Sequence, residues 1–153
     1  MKDLDRVVIE KQCEQLVNHF QYLFNRELSR VTELMAQNGT LDFAGWKVGP
    51  DRDQMTTALR AGSRNMLRGK EIVLNTISNV VIDAADENHA TGVAYDTMWE
   101  TPYPDDGFAG RPAPIRRPKF LALWTDDFIR ESEEWKFASR KMEVKFYADW
   151  ARA

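Results

Sequence analysis

Cysteine is almost absent from this chain: Cys13 stands alone among 153 residues. One thiol excludes an internal disulfide and a cysteine-built metal site, and its place in an apolar helical stripe makes it a small buried hydrophobe. Histidine is nearly as scarce, with only His19 and His89. Two imidazoles, one on a helix flank and one just after the turn residues Asp86-Glu87-Asn88, do not make a zinc site. The sequence has no HExxH, GxGxxG, phosphate loop or nucleophile elbow, so neither a metal nor another cofactor is expected. No run approaches the roughly 20 apolar residues that span a bilayer. The start, Met1-Lys2-Asp3-Leu4-Asp5-Arg6, carries charges where a secretory signal needs an apolar stretch. A cytoplasmic protein without a membrane partner is therefore expected. A positive surplus is missing too: the net charge is −3, which speaks against a nucleic-acid partner, because phosphate neutralisation needs a clustered positive surface.

What is present is the mix of a soluble globular chain, with 43% hydrophobic and 29% charged residues, in a length that suits a single domain over 1–153. Ile9, Cys13, Leu16, Val17, Phe20, Leu23 and Phe24 fall within about 60° of Phe20 on a helical wheel, with Lys11, Asn18 and Tyr22 opposite. This is an amphipathic helix packed on something large. A shorter helical stretch follows (Leu28, Val31, Leu34, Met35) and is expected to stop at Asn38-Gly39, a pair suited to a left-handed cap. Thr40 to Val48 reads as a short strand or hairpin. Asp51 then caps a third helix, with Gln54 at capping-box spacing, that ends before Gly69.

From Ile72 the period changes from helix to strand. Ile72 to Asp83, Ala90 to Trp99, Phe120 to Arg130 and Trp135 to Tyr147 are the expected strands. Thr101 to Pro118 holds all but one of the six prolines and reads as a loop. Helices first and consecutive antiparallel strands after them predict an α+β fold: three N-terminal helices packed on a strongly curved, mostly antiparallel sheet. Such a sheet forms a cone, and its internal pocket is a natural small-molecule site.

The order of segments resembles the SnoaL-like family of the nuclear transport factor 2-like superfamily, which has a cystatin-like α+β fold. His19-Phe20-Gln21-Tyr22-Leu23-Phe24-Asn25-Arg26-Glu27 resembles its first-helix segment ahead of an apolar pair, here Leu34-Met35. Gly49 through Ala61 resembles its glycine-led third helix, and Asn75-Thr76-Ile77-Ser78-Asn79 its histidine-x-x-x-asparagine strand. Trp124 to Arg130, then Trp135-Lys136-Phe137-Ala138-Ser139-Arg140, resembles its last hairpin, where a Trp-basic-aromatic segment leads to an arginine. The family includes polyketide cyclases, dehydratases, dehydrochlorinases, isomerases and epoxide hydrolases, and members without known chemistry.

In its dehydratases and dehydrochlorinases, an aspartate on the first helix orients a histidine base on the first long strand. The resemblance places Phe24 and Asn75 at these two positions. Neither residue is an acid or a base, so chemistry, if any, falls to a carboxylate. Asp42 resembles the aspartate base of ketosteroid isomerase relatives, and otherwise reads as a solvated strand-edge residue. Asp126 serves as a base if buried, although Asp127 beside it equally suggests a solvent-facing pair.

Strand alternation puts Val73, Asn75, Ile77, Asn79 and Val81 on one face, and the resemblance makes that face the pocket wall. His19, Phe24, Trp46, Tyr95, Trp99 and Trp124 are the further lining candidates, each otherwise a packing or surface residue. Arg60, Arg64 and Arg68 recur every four residues on the third helix. They form either a solvated face or, with Arg116, Arg117 and Lys119, a dock for coenzyme A phosphates. The reading that results is a pocket protein for a small, mostly apolar carbonyl, hydroxyl or polyketide-like ligand, or for a coenzyme A thioester. Any chemistry is a cofactor-free isomerisation or elimination, of isomerase or lyase type, in a homodimer or other homo-oligomer. The alternative is a binding or assembly module without turnover, resembling the small subunit of aromatic-ring-hydroxylating dioxygenases.

Overall fold

The computed structural model describes residues 1–66, 71–102, 112, 114 and 118–148, without the side chains of 63–66, 71, 72 and 102. The elements run α1 (Asp3–Phe24), a 3-10 helix (Leu28–Leu34), β1 (Met35–Phe43), β2 (Trp46–Val48), α2 (Arg52–Met66), β3 (Glu71–Ala84), β4 (His89–Pro102), β5 (Pro118–Glu131) and β6 (Glu134–Tyr147). The six strands form one mixed sheet in the order β2-β1-β6-β5-β4-β3, and it is not closed. Every pairing is antiparallel except β1 with β6. The expected α+β architecture, helices on a mostly antiparallel sheet, is what forms.

The α1 stripe behaves as its period requires. Ile9, Cys13, Val17, Phe20 and Leu23 are buried, while Leu16 and Phe24 pack partly exposed against the same core. Each such fully buried apolar side chain stabilises by roughly 1.5–3 kcal/mol relative to exposure. The stripe lies over β3, β4 and β6, whose buried faces supply Ala84, Ala94, Trp124 of neighbouring β5, and Phe137. Asp3 and Asp5 sit in the first turn of α1, where carboxylates suit the helix dipole. Arg6 ties that end to β3 through Asp83. Asp51 caps α2 as expected, with Oδ1 accepting from the Gln54 amide at 2.8 Å.

Three expectations need correction. The second helix is a 3-10 turn that ends at Leu34, and Asn38-Gly39 lies inside β1 rather than ending a helix. Gly39 serves close approach instead: a Cβ there would meet the Phe137 carbonyl at 2.9 Å, beside a bulge in the β1–β6 register. On β3, a bulge between Ser78 and Val81 inserts one residue opposite Tyr95–Val93 and puts Asn79 at φ 50°. The extra residue reverses the alternation beyond it. Val80 and Ile82 turn toward the core, while Val81 is 61% exposed and Asn79 is exposed.

The third correction is on β4. Its larger side chains, Val93 and Tyr95, face outward, and Gly92, Ala94 and Asp96 face in. The alternation was legible, but its direction follows space rather than side-chain size. A Cβ on Gly92 would meet Ile82 at 2.6 Å and Phe128 at 3.0 Å, so large neighbours already fill that layer.

Candidate active site

Three strands each direct one ionisable side chain to the buried face. Asp96 of β4, Asp126 of β5 and Arg140 of β6 are each only 1% exposed. Strand alternation explains each placement, because Ala94, Trp124 and Phe128 share the buried face with them.

Asp96 is well supplied with donors. Trp124 Nε1 donates to it at 2.9 Å, and Asn75 Nδ2 lies 3.1 and 3.2 Å from its two oxygens. Burial nonetheless pushes its carboxyl above the ordinary range, against those two hydrogen bonds and the nearby Arg140 charge. Asn75 itself is buried and keeps its Oδ1 without a donor among the described residues.

Asp126 and Arg140 are less well served. Arg140 Nε stands 3.4 Å from Asp126 Oδ1, an ion-pair distance without hydrogen-bond geometry. Both carboxylate oxygens and all three guanidinium nitrogens lack a hydrogen-bond partner among the described residues. Aromatic rings cover the guanidinium instead. Its carbon lies 4.2 Å from the Phe20 centroid, 4.5 Å from Trp124 and 4.8 Å from Phe137. Those ring faces attract the cation but accept none of its in-plane N–H bonds. Burial raises the Asp126 carboxyl to about 6, with Arg140 opposing the rise and Asp127 adding to it. Burial likewise lowers the Arg140 pKa, opposed by Asp126 and Asp96. Both directions have one cause: the interior penalises each charge by more than the loose pair returns.

The aromatic candidates continue this cluster toward β1. Phe43 packs edge-on to Trp124 at 5.6 Å, Trp46 stacks on Phe43 at 5.5 Å, and Phe24 lies 5.7 Å from Phe43 and 6.0 Å from Phe20. Trp46 also reaches α2, where a Cβ on Gly62 would meet its ring at 2.4 Å. The structure thus brings together Phe24, Trp46, Trp124, Asn75 and Asp126.

The other candidates lie elsewhere. Asp42 turns away from its buried neighbours Leu41 and Phe43, and its Oδ1 accepts from the Gly45 amide at 2.6 Å, closing the β1–β2 turn. His19 is exposed, near Glu33 of the 3-10 helix. Tyr95 is 40% exposed on the outer face, and Trp99 is on that face too, with Nε1 donating to Thr76 at 3.3 Å. Asn79 is exposed in the β3 bulge. Lys119 pairs with Glu100. The Arg64 side chain, Arg68, Arg116, Arg117 and most of the proline-rich loop lie outside the described residues. Cys13 is buried, and its thiol is pushed up to about 12 by that burial.

Sequence reasoning did not select Asp96 or Arg140 as site residues. A lone acid between Tyr95 and Thr97 in the interior of a long strand was the available signal for Asp96. For Arg140 it was the arginine to which the Trp-basic-aromatic segment Trp135-Lys136-Phe137 leads, midway along β6. Asn25 was also missed: its amide donates to the Asn75 carbonyl at 2.8 Å and its Oδ1 accepts from the Asn75 amide at 2.9 Å.

Among the described residues there is no cluster of metal-ligating side chains, and no helix is long and apolar enough to cross a membrane.

Residues 5–141 match the family model of the SnoaL-like domain. No curated protein matches the chain in sequence. Among solved structures, a hexachlorocyclohexane dehydrochlorinase (LinA, type 2) is similar with a TM-score of 0.70 at 13% identity, over 96% of this chain and 92% of that one. ActVI-ORFA from Streptomyces coelicolor gives 0.71 at 14% identity, over 90% and 96%. A protein with a cystatin-like fold from Novosphingobium aromaticivorans gives 0.69 at 11% identity, over 93% and 85%. At these identities the likeness establishes the fold.

Proposed function

This chain belongs to the SnoaL-like domain family, and from that premise we propose that it binds a small, mostly apolar organic compound and turns it over without a cofactor, Asp126 acting as general base. The observation that carries this reading is a buried carboxylate whose two oxygens have no protein donor, standing 3.4 Å from a buried guanidinium and beside Trp124. A carboxylate held out of water binds a proton more strongly than a solvated one, and its lone pairs are free to take one from carbon. The reaction class is isomerisation or elimination. The dehydrochlorinase with the same fold carries out an elimination by name. Asp126 is favoured over Asp42 because Asp42 spends an oxygen on its own turn.

Hydrogen–deuterium exchange at the α carbon of 2-tetralone, followed by proton NMR in D2O, tests the assignment. Unaltered protein should accelerate exchange, with the rate rising through the Asp126 pKa of about 6 and levelling off above it. Asp126→Asn should lose a factor of about 10² to 10⁴, the usual worth of a general base. If Asp42→Asn removes the exchange and Asp126→Asn keeps it, the base is Asp42.

A second reading has its own support. The positions that the family resemblance gives to an aspartate and a histidine hold Phe24 and Asn75, neither of which moves a proton. A ligand that binds tightly yet shows no exchange or turnover would favour a binding or assembly module.

A further inference from the structure

We propose that Asn38 is a site of spontaneous chemical modification, where ring closure with the Gly39 amide yields aspartate and isoaspartate, and that the isoaspartate form loosens β1 from β6.

The pair Asn38-Gly39 lies within β1 and caps no helix. Of the seven asparagines in the chain, only Asn38 precedes a glycine. Each of the others is followed by a residue whose side chain hinders approach to the next amide nitrogen, whereas Gly39 has no Cβ. The fold sets this pair apart a second time. Between Met35↔Phe137 and Thr40↔Ser139, β1 advances five residues (35 to 40) while β6 advances two (137 to 139). The residues between them therefore leave the regular ladder. The Gln37 amide donates to the two oxygens of the Glu131 carboxylate, at 3.2 and 3.1 Å, rather than to a strand. Asn38 is exposed, and its side chain makes no hydrogen bond among the described residues. The side chains of Asn18, Asn25 and Asn75 are each held by at least one.

The chemistry is redox-neutral and consumes only water. The Gly39 amide nitrogen gives its proton to solvent base and attacks Asn38 Cγ. A C–N bond forms, the Cγ–Nδ2 bond breaks, and ammonia leaves a five-membered succinimide. Water then adds to one of the two ring carbonyls, and the bond from that carbon to the ring nitrogen breaks. Opening at Cγ gives aspartate on an ordinary main chain. Opening at the main-chain carbonyl gives isoaspartate, with the chain routed through Cβ and Cγ. Either product adds one negative charge to a chain of net charge −3.

The two products differ in what they do to the fold. Aspartate changes only the charge of an exposed side chain. Isoaspartate lengthens the main chain by one carbon where there is no slack. A Cβ on Gly39 would meet the Phe137 carbonyl at 2.9 Å, and one on Gly49 would meet the Gly39 carbonyl at 2.5 Å. The disturbance falls on the parallel pairing that follows, from Thr40↔Ser139 to Phe43↔Met142.

The test incubates the full chain in mildly alkaline buffer and maps its tryptic peptides by mass spectrometry. The peptide from Val31 to Lys47 holds Asn38 as its one asparagine. It should show the mass change of amide to acid and split into two chromatographic forms. Protein isoaspartate methyltransferase should label the more abundant of them. The rate in the folded chain should lie within about tenfold of that in the free synthetic peptide, since the segment is already outside the ladder. Asn38→Gln, which must close a larger ring, should not convert. The aged chain is then compared with fresh Asn38→Asp, which carries the same charge on an unaltered main chain. Amide hydrogen exchange along Leu41 to Phe43 should be about tenfold faster in the isoaspartate fraction. Conversion slower than the tenfold limit, earlier conversion at another asparagine, or equal exchange in the two chains overturns the proposal.

Discussion

The side chain of Asn25, the residue that ends α1, makes a two-way hydrogen bond with the backbone of Asn75 on the edge strand β3, at 2.8 and 2.9 Å. An edge strand presents unpaired amides and carbonyls, and here a helix-end amide satisfies one of each. That bond fixes where Asn75 sits, and Asn75 in turn supports Asp96. The family resemblance puts the helix-1 partner of this strand at Phe24; the residue that bonds to Asn75 is its neighbour Asn25.

Asn25→Ala should therefore destabilise the fold by about 1–3 kcal/mol, the cost of leaving partly buried polar groups unpaired. Urea unfolding measures this. A change within a few tenths of a kcal/mol would mean the bond carries little, and that other contacts hold β3 against α1.

Trp124→Phe keeps an aromatic ring beside Arg140 and Phe43 but removes the Nε1 donor to Asp96. A loss of about 1–3 kcal/mol is expected, with the Asp96 carboxyl rising further. Because Asn75 donates to the same carboxylate, a double-mutant cycle of Trp124→Phe with Asn75→Ala should show a coupling of at least about 0.5 kcal/mol. Strict additivity would separate the two contacts.

Asp126 makes stability depend on pH with a definite sign. Its carboxyl moves from an ordinary value of 3.8 to about 6 in the fold. The folded state thus holds this proton more tightly, and the contribution is fully present below the unfolded value and lost as pH rises through about 6. The amount is roughly 3 kcal/mol at 1.36 kcal/mol per unit. Between pH 4 and 7 the stability of the unaltered protein, measured relative to Asp126→Asn, should fall by that order. A difference that stays flat over this range would mean Asp126 is not desolvated.

Gly49 sits at φ 104°, and a Cβ there would meet the Gly39 carbonyl at 2.5 Å and the Met55 methyl at 2.8 Å. Gly49→Ala combines a backbone conformation that alanine resists with a clash against main chain. It should cost more than about 1 kcal/mol, read as a lower thermal midpoint. An unchanged midpoint would show that the β2–α2 connection gives way without penalty.

The sequence by itself determined most of the elements and the buried face of α1. The α1 stripe is a local property: residues spaced at 3.6 per turn share a side whatever they pack on, and Cys13, Val17 and Phe20 are buried as that spacing requires. The Asp51 cap and the change of period after residue 70 are local in the same sense, as are the alternations of the four long strands.

Tertiary structure decided which alternate face turned inward, because that depends on neighbours distant in sequence. At Gly92 the inward space is already taken by Ile82 and Phe128, which leave no room for a Cβ, and alternation carries Ala94 and Asp96 to the same face. One inserted residue near Asn79 reverses β3 beyond the bulge. The candidate site shows the same division. Trp124, Asn75 and Phe24 were legible as inward positions or by resemblance, whereas for Asp126 the sequence left a buried base and a solvent-facing pair with Asp127 equally open. The pairing of Asp126 with Arg140 arises only when β5 and β6 come into register, and the burial that makes both groups unusual exists only once α1 covers that sheet face.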